Sequence, residues 1–272
     1  MESMETYRRF LKAYWWDERD KVETDQKKRI PPPPPQKPCP EGAALIDLVP
    51  PEELTIGTMP LLEAMKRRKS HRAFTEESLT LEELSFLLWA TQGVREIVSG
   101  GAATRRIVPS AGSRHPFETY LVLERIDELE PGLYRYLPME HQLCCLRAGS
   151  GLAEKVGPAC RDQIFISQGA VVFIWTVIPY RAEWRYLMVA PKMIALDAGH
   201  LCQNLYLACE ALGAGACAVG AYRQDEMDAL LGVDGQEEFV VYAAPVGKIK
   251  VNASAVSGLQ PSFDPSPGGR SS

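Results

Sequence analysis

The chain has 272 residues, 46% of them hydrophobic and 24% charged, with a formal net charge of −5 at pH 7. That is enough apolar sequence to bury one large core with an N-terminal appendage, and the acidic balance argues against nucleic acid as the main partner, because phosphate-backbone binders carry a basic face. No run is long and apolar enough to cross a bilayer, and the segment METYRRFLKAYWWDERD lacks a signal-peptide core, so a soluble, cytoplasmic protein without a membrane partner is expected.

Residues 1–30 alternate charges of both signs with Tyr7, Phe10, Tyr14 and Trp15 at helical spacing, which predicts a helix docking through an aromatic stripe on its own domain or on a partner subunit. Pro31 to Pro35, continuing loosely to Pro40, cannot be helical or paired and reads as a semi-rigid spacer. The expected organisation is an appendage over 1–55, a core domain over 56–252 and a flexible tail over 253–272. Pro60 opens a short helix over 61–69 that ends in cations. Thr80-Leu81-Glu82-Glu83 has the capping-box pattern, predicting a second helix with Leu81, Leu84, Leu87 and Leu88 facing inward and a close at Gly93. The Gly-, Ala- and Arg-rich stretch 99–106 reads as a mobile loop.

Strands are expected over 119–123, 133–137, 141–146, 170–178, 216–219 and 239–246, with Tyr134 and Tyr136 on one face of a hairpin turning near Pro138-Met139-Glu140. Ile194, Ala198, Leu201, Leu205, Ala208 and Leu212 recur by four and three, and Met193, Leu196, Cys202, Tyr206 and Cys209 make the other sides apolar too. Such a helix must be buried, and Gly213 ends it. His200, Gln203 and Asn204 bring polarity into it and are expected to bond backbone or one another rather than act in catalysis. The seven cysteines include no CxxC pair; Cys202 and Cys209 lie two turns apart, beyond disulfide reach, and most of the seven read as small core residues. The four histidines are scattered, so no metal site is expected.

Two segments carry the chemistry. Lys66, Arg67, Arg68, Lys69 and Arg72, with the Ser70 hydroxyl, supply the fixed charge and fork-like donors that a phosphomonoester needs; the same cations would also suit the negative end of the preceding helix. The turn Pro109-Ser110-Ala111-Gly112 has side chains small enough for its backbone to press on a flat ring, and Glu118 to Leu123 anchors it. Together they suggest a flavin site.

With RRKSHRAF (67–74), LTLEELSFLLWATQGV (79–94), PSAGSRHPFETYLVL (109–123), PGLYRY (131–136), DAGHLCQNLYLACEALGAGACAVGAY (197–222) and PVGK (245–248) in this order, the chain resembles the nitroreductase-like FMN flavoproteins, and within them the SagB-type azoline dehydrogenases. The resemblance implies an α+β three-layer sandwich, a central mostly antiparallel sheet flanked by helices, and a homodimer with FMN bound between subunits. Carried over, Arg67, Arg68 and Ser70 hold the phosphate or the polar ring edge, with Lys248 a weaker candidate. Pro109, Ser110, Ala111 and Gly112 line the isoalloxazine, and Ala218, Val219 and Gly220 point a backbone N–H at flavin N5. Azoline dehydrogenases usually carry a Lys-Tyr pair where this chain has Arg185-Tyr186. A guanidinium cannot serve as a base, so Arg185 can orient an anion while Tyr186 could still exchange a proton. Arg114-His115 also departs from the family's apolar and tyrosine residues; His115 faces a substrate pocket or packs on Pro116. The implied activity is an FMN-dependent oxidoreductase moving hydride through N5, from an azoline ring of a modified peptide or from NAD(P)H to a small acceptor. The alternative is a flavin-binding structural subunit of a biosynthetic complex.

Overall fold

The computed structural model describes residues 4–250. Seven strands form one antiparallel sheet in the order β1-β6-β5-β4-β7-β9-β8: β1 (Leu45–Asp47), β4 (Phe117–Leu123), β5 (Gly132–Leu137), β6 (Gln142–Ala148), β7 (Val171–Val177), β8 (Ala214–Ala216) and β9 (Phe239–Lys248). β4 and β7 lie in the middle and are buried along their whole length. This is why β7 reads VVFIWTV with no polar alternation: both its faces are covered. On one side α4 (Leu81–Gln92) and α7 (Ala190–Ala211) bury Leu84, Leu88, Leu201 and Leu205 against Phe173 and Trp175. On the other, α5 (Ala153–Ala159) and α8 (Gln224–Leu231) bury Val156 and Met227 against Val172 and Ile174. The result is the expected α+β three-layer sandwich.

The capping box is formed: the Glu83 amide donates to Thr80 Oγ1 at 3.1 Å and the Thr80 amide to Glu83 Oε2 at 3.0 Å. The central helix also forms, with Asn204 Nδ2 donating to the Ala90 carbonyl at 2.9 Å, but it is not buried all round: its sheet side is covered while Leu196, Gly199 and Gln203 are exposed. Four further expectations are corrected. Residues 99–106 are not a loop: β2 (Val94–Val98) and β3 (Ala103–Arg106) pair into a hairpin. The helix 61–69 is α3 (Leu61–Arg67), and the fifth expected strand is shifted to β8, with Val219 making only an isolated bridge to Ala243. The N-terminal helix is two pieces, α1 (Met4–Arg9) and α2 (Trp15–Arg19), and Tyr7, Phe10 and Tyr14 are exposed. Trp16 rather than the expected stripe makes an inward aromatic contact, edge-on to Tyr186 with ring centres 6.1 Å apart.

The proline-rich segment is clamped to the core. Arg106 donates to the Pro35 carbonyl at 2.9 Å, the Lys37 amide to Glu118 at 2.9 Å, and Lys37 Nζ pairs with Glu238. A Cys39–Cys144 disulfide fixes it to β6. The other five cysteines are free. Among the described residues no helix is long and apolar enough to cross a membrane, and no group of His, Cys, Asp and Glu is placed to hold a metal ion. The expected tail over 253–272 lies outside the described residues.

Candidate functional site

α7 organises the site, because both motif segments hang from it. Near its N-terminal end Asp197, buried, accepts the Ser110 hydroxyl at 2.5 Å and the Ala111 amide at 3.2 Å, and Ser110 Oγ in turn accepts the His115 amide at 2.9 Å. Burial raises the Asp197 carboxyl above its usual range, and the bonds from Ser110 and Ala111 and the charge of His200 oppose that shift. The turn is thus rigidly presented while Pro109 and Gly112 stay exposed. Gly112 has φ +57°, and a Cβ there would lie 2.7 Å from the Tyr186 hydroxyl and 3.0 Å from Arg185 Cδ. Only glycine combines that left-handed backbone with so close an approach. The turn therefore meets Arg185 and Tyr186 at the end of α6 (Tyr180–Tyr186).

Nearer the C-terminal end of α7, the Tyr206 hydroxyl accepts the Ala218 amide at 2.7 Å and lies 3.0 Å from the Ser70 hydroxyl. Ser70 bridges to Ala216, and the Arg68 guanidinium stacks over the Tyr206 ring at 5.4 Å. Val219 is buried and exchanges two backbone hydrogen bonds with Ala243, which holds Gly220 at the rim of a cavity of about 660 Å³ together with Ala198, Gly199, Phe239 and Tyr242. Among the described residues the Gly220 amide has no hydrogen-bond partner. Lys66, Arg68, Lys69 and Arg72 have no carboxylate partner there either, whereas Arg67 pairs with Glu63 at 2.6 Å and Lys248 with Glu83. Unpaired cations beside a hydroxyl, next to an apolar cavity, form a donor set that fits a phosphate-bearing flat ring.

The two halves do not face each other within one chain. Asp197 and Tyr206 are nine residues apart on α7, which is roughly 13.5 Å along the axis and about half a turn out of phase. The Ser110 half and the Ser70–Ala218 half therefore occupy opposite sides of the helix.

Residues 65–248 match the family described as Nitroreductase. The chain belongs to the nitroreductase family. A protein of Methanocaldococcus jannaschii provisionally named as a nitroreductase is 31% identical over 192 residues, 69% of this chain and 90% of that protein. The trifolitoxin-processing protein TfxB of Rhizobium leguminosarum bv. trifolii is 32% identical over 121 residues, 42% of this chain and 31% of TfxB. Among solved structures, a nitroreductase-titled protein of Anabaena variabilis superposes with TM-score 0.64 at 25% identity, covering 77% of this chain and 42% of that one. A component of the Escherichia coli microcin synthetase McbBCD complex superposes with TM-score 0.57 at 17% identity over 75% and 78% of the two chains, a likeness of fold alone.

As a nitroreductase-family oxidoreductase, the chain departs from its motif pattern where the N-terminal appendage reaches α6. Trp184 is buried and its indole N–H donates to the Ile30 carbonyl at 2.9 Å, so it packs rather than acts. Arg19 donates to the Arg185 carbonyl at 3.1 Å. His115 is buried at φ +42°, and burial with Arg106 and Arg114 nearby pushes it down to about 3, so its ring is neutral and inside the fold. His200 is half exposed and lies 3.9 Å from Asp197. Sequence reasoning missed Asp197 and Tyr206. Their signal was a carboxylate and a phenol inside an otherwise apolar helix.

Proposed function

We propose that the protein is an FMN-dependent oxidoreductase that works as a homodimer, each cofactor lying between the Ser70–Ala218 half of one chain and the Ser110 turn of the other. The observation that carries this is the placement of the two halves on opposite sides of α7. Leu61, Leu62 and Met65 on α3 and Leu196 on α7 are 51–66% exposed, an apolar surface of the kind a second copy covers. Arg68 and Ser70 would hold the phosphate through charge-assisted bonds, with Arg67 and Lys248 adding charge at the rim, while the Gly220 amide offers a donor to the ring. Bound FMN would supply a two-electron hydride donor and acceptor at N5. Arg185, a guanidinium that cannot serve as a base, orients an anionic group, and Tyr186, held against the turn, adds a phenol hydroxyl beside it. The cavity wall beside Gly220 carries Ile194, Ala198, Phe239 and Val241, an apolar surface on which a flat ring can lie.

For the reaction, the resemblance to azoline dehydrogenases and the likeness to a trifolitoxin-processing protein favour oxidation of a ring in a modified peptide; reduction of a small acceptor by NAD(P)H is the other form of the same chemistry. A second reading, a flavin-binding subunit with little activity alone, is favoured by exposed Tyr7, Phe10, Leu11 and Tyr14, which offer a docking stripe. Heat release of the chromophore, followed by anaerobic addition of NAD(P)H to the purified protein, separates the readings. FMN that bleaches supports the enzyme, FMN that does not bleach and oxidises no azoline peptide supports the subunit, and a folded protein without FMN removes both.

A further inference from the structure

Arg185 cannot exchange a proton, and within one chain Tyr186 lies against the Gly112 turn and does not line the cavity beside Gly220. A different titratable group does line that cavity. Glu183 lies on α6 one turn from Tyr180, and both line the cavity. It shares the wall with Gly220, Ile194, Phe239 and Tyr242. Among the described residues no cation pairs with it, and the charged group it meets across the cavity is another carboxylate, Glu237. The remaining polar side chains around it are Gln236 beside Glu237, Tyr180, whose hydroxyl donates to Asp25 at 2.9 Å, Asp25 itself, paired with Lys28, and Tyr242 on β9.

We propose that, in the acceptor-reducing form of the chemistry above, Glu183 is the residue that donates the proton accompanying hydride transfer in this cavity. The proposal rests on the cofactor reading above. Reducing an unsaturated acceptor requires a hydride on one atom and a proton on its neighbour. The electrons come from a reduced nicotinamide by way of the cofactor. The proton comes from the Glu183 carboxyl, whose O–H bond breaks as the acceptor's bond forms, and water at the mouth near Asp25 and Tyr180 returns it. Burial, and then the Glu237 charge, hold the Glu183 carboxyl above its usual range, so a larger share stays protonated toward neutral pH, as a general acid requires. Glu237 is the positioning partner: it acts by its charge on Glu183.

Two measurements test this. Difference infrared titration of the FMN-free chain against Glu183→Gln should show a carboxyl midpoint above the ordinary glutamate value, and Glu237→Gln should lower it; an ordinary midpoint that ignores Glu237→Gln would overturn the proposal. In the FMN-loaded protein, the rate of acceptor reduction should fall as pH rises through that midpoint. Glu183→Gln should lose this limb and slow roughly a hundredfold, and Glu237→Gln should move the limb to lower pH. A limb that persists in Glu183→Gln, or that disappears only in Tyr186→Phe, overturns the assignment. A wild-type chain that binds no FMN overturns the cofactor reading and this proposal with it, whereas an intact FMN site with an unaltered Glu183→Gln profile overturns this proposal alone.

Discussion

Ser110 donates its hydroxyl to Asp197 at 2.5 Å, and through that bond the turn from 109 to 112 is fixed to the helix that also carries Tyr206. Asp197→Ala removes the acceptor for both the Ser110 hydroxyl and the Ala111 amide. It should cost roughly 1–3 kcal/mol of stability, because half-buried donors lose their partner. Asp197→Asn, which keeps a carbonyl oxygen for the Ala111 amide, should cost less. Denaturant midpoints of the two variants check the order, and equal midpoints would show that the turn stands without Asp197.

The basic cluster divides by partner. Arg67 is committed to Glu63, while among the described residues Arg68 has only the Tyr206 ring. Arg68→Ala should therefore lose roughly 1.5–3 kcal/mol of FMN affinity, tenfold or more, and Arg67→Ala clearly less. If Arg68 serves only the helix end, Arg68→Ala should cost roughly 0.3–1 kcal/mol of folding stability and leave affinity untouched. Titrating FMN into the apo forms and melting them in parallel distinguishes the two.

Much of this arrangement could be read from the residues. The capping box at Thr80 and Glu83, the long helix over 190–211 and the central strands all announce themselves, because local propensity and hydrophobic period agree with the tertiary environment. The β2–β3 hairpin did not: among the described residues it pairs only with itself, its exposed positions mix the charged Arg95, Glu96 and Arg105 with Ile97, and its turn is glycine-rich, which is also what a loop looks like. The clamp on residues 35–39 was hidden for another reason. Its partners Arg106, Glu118, Arg135 and Cys144 lie 71 to 105 residues away, and no local pattern encodes a pairing across that distance. Glu183 was invisible because it lines the cavity only once α6 packs against α7 and the loop carrying Glu237.

Burial and the charges of Arg106 and Arg114 keep the His115 ring neutral in the fold, while an unfolded chain takes up the proton near about pH 6.5. The folded value is depressed, so the stabilisation is complete above about pH 6.5 and is lost as pH falls from there toward 3, by up to about 1.4 kcal/mol per pH unit. Burial lowers His71 and His141 as well, and they act in the same direction. Urea midpoints should drop between about pH 7 and pH 5, and His115→Asn, which tolerates the positive φ, should flatten the slope. A wild-type slope retained in that variant would contradict the assignment.

Cys39 and Cys144 close a loop spanning 105 residues and hold the proline-rich segment on β6. Reduction, or Cys39→Ser, should lower stability by roughly 2–4 kcal/mol. Limited proteolysis should then cut first within residues 20–40; a thiol-independent digestion pattern would show that the ionic contacts of Lys37 suffice.

The proposed cofactor site is completed by a second copy of the chain. Sedimentation velocity of the purified protein, followed at the flavin absorption band, tests this most directly. The shared site predicts a single dimeric boundary carrying close to one FMN per chain. A flavin-loaded monomer, or a folded dimer with no flavin, would contradict it.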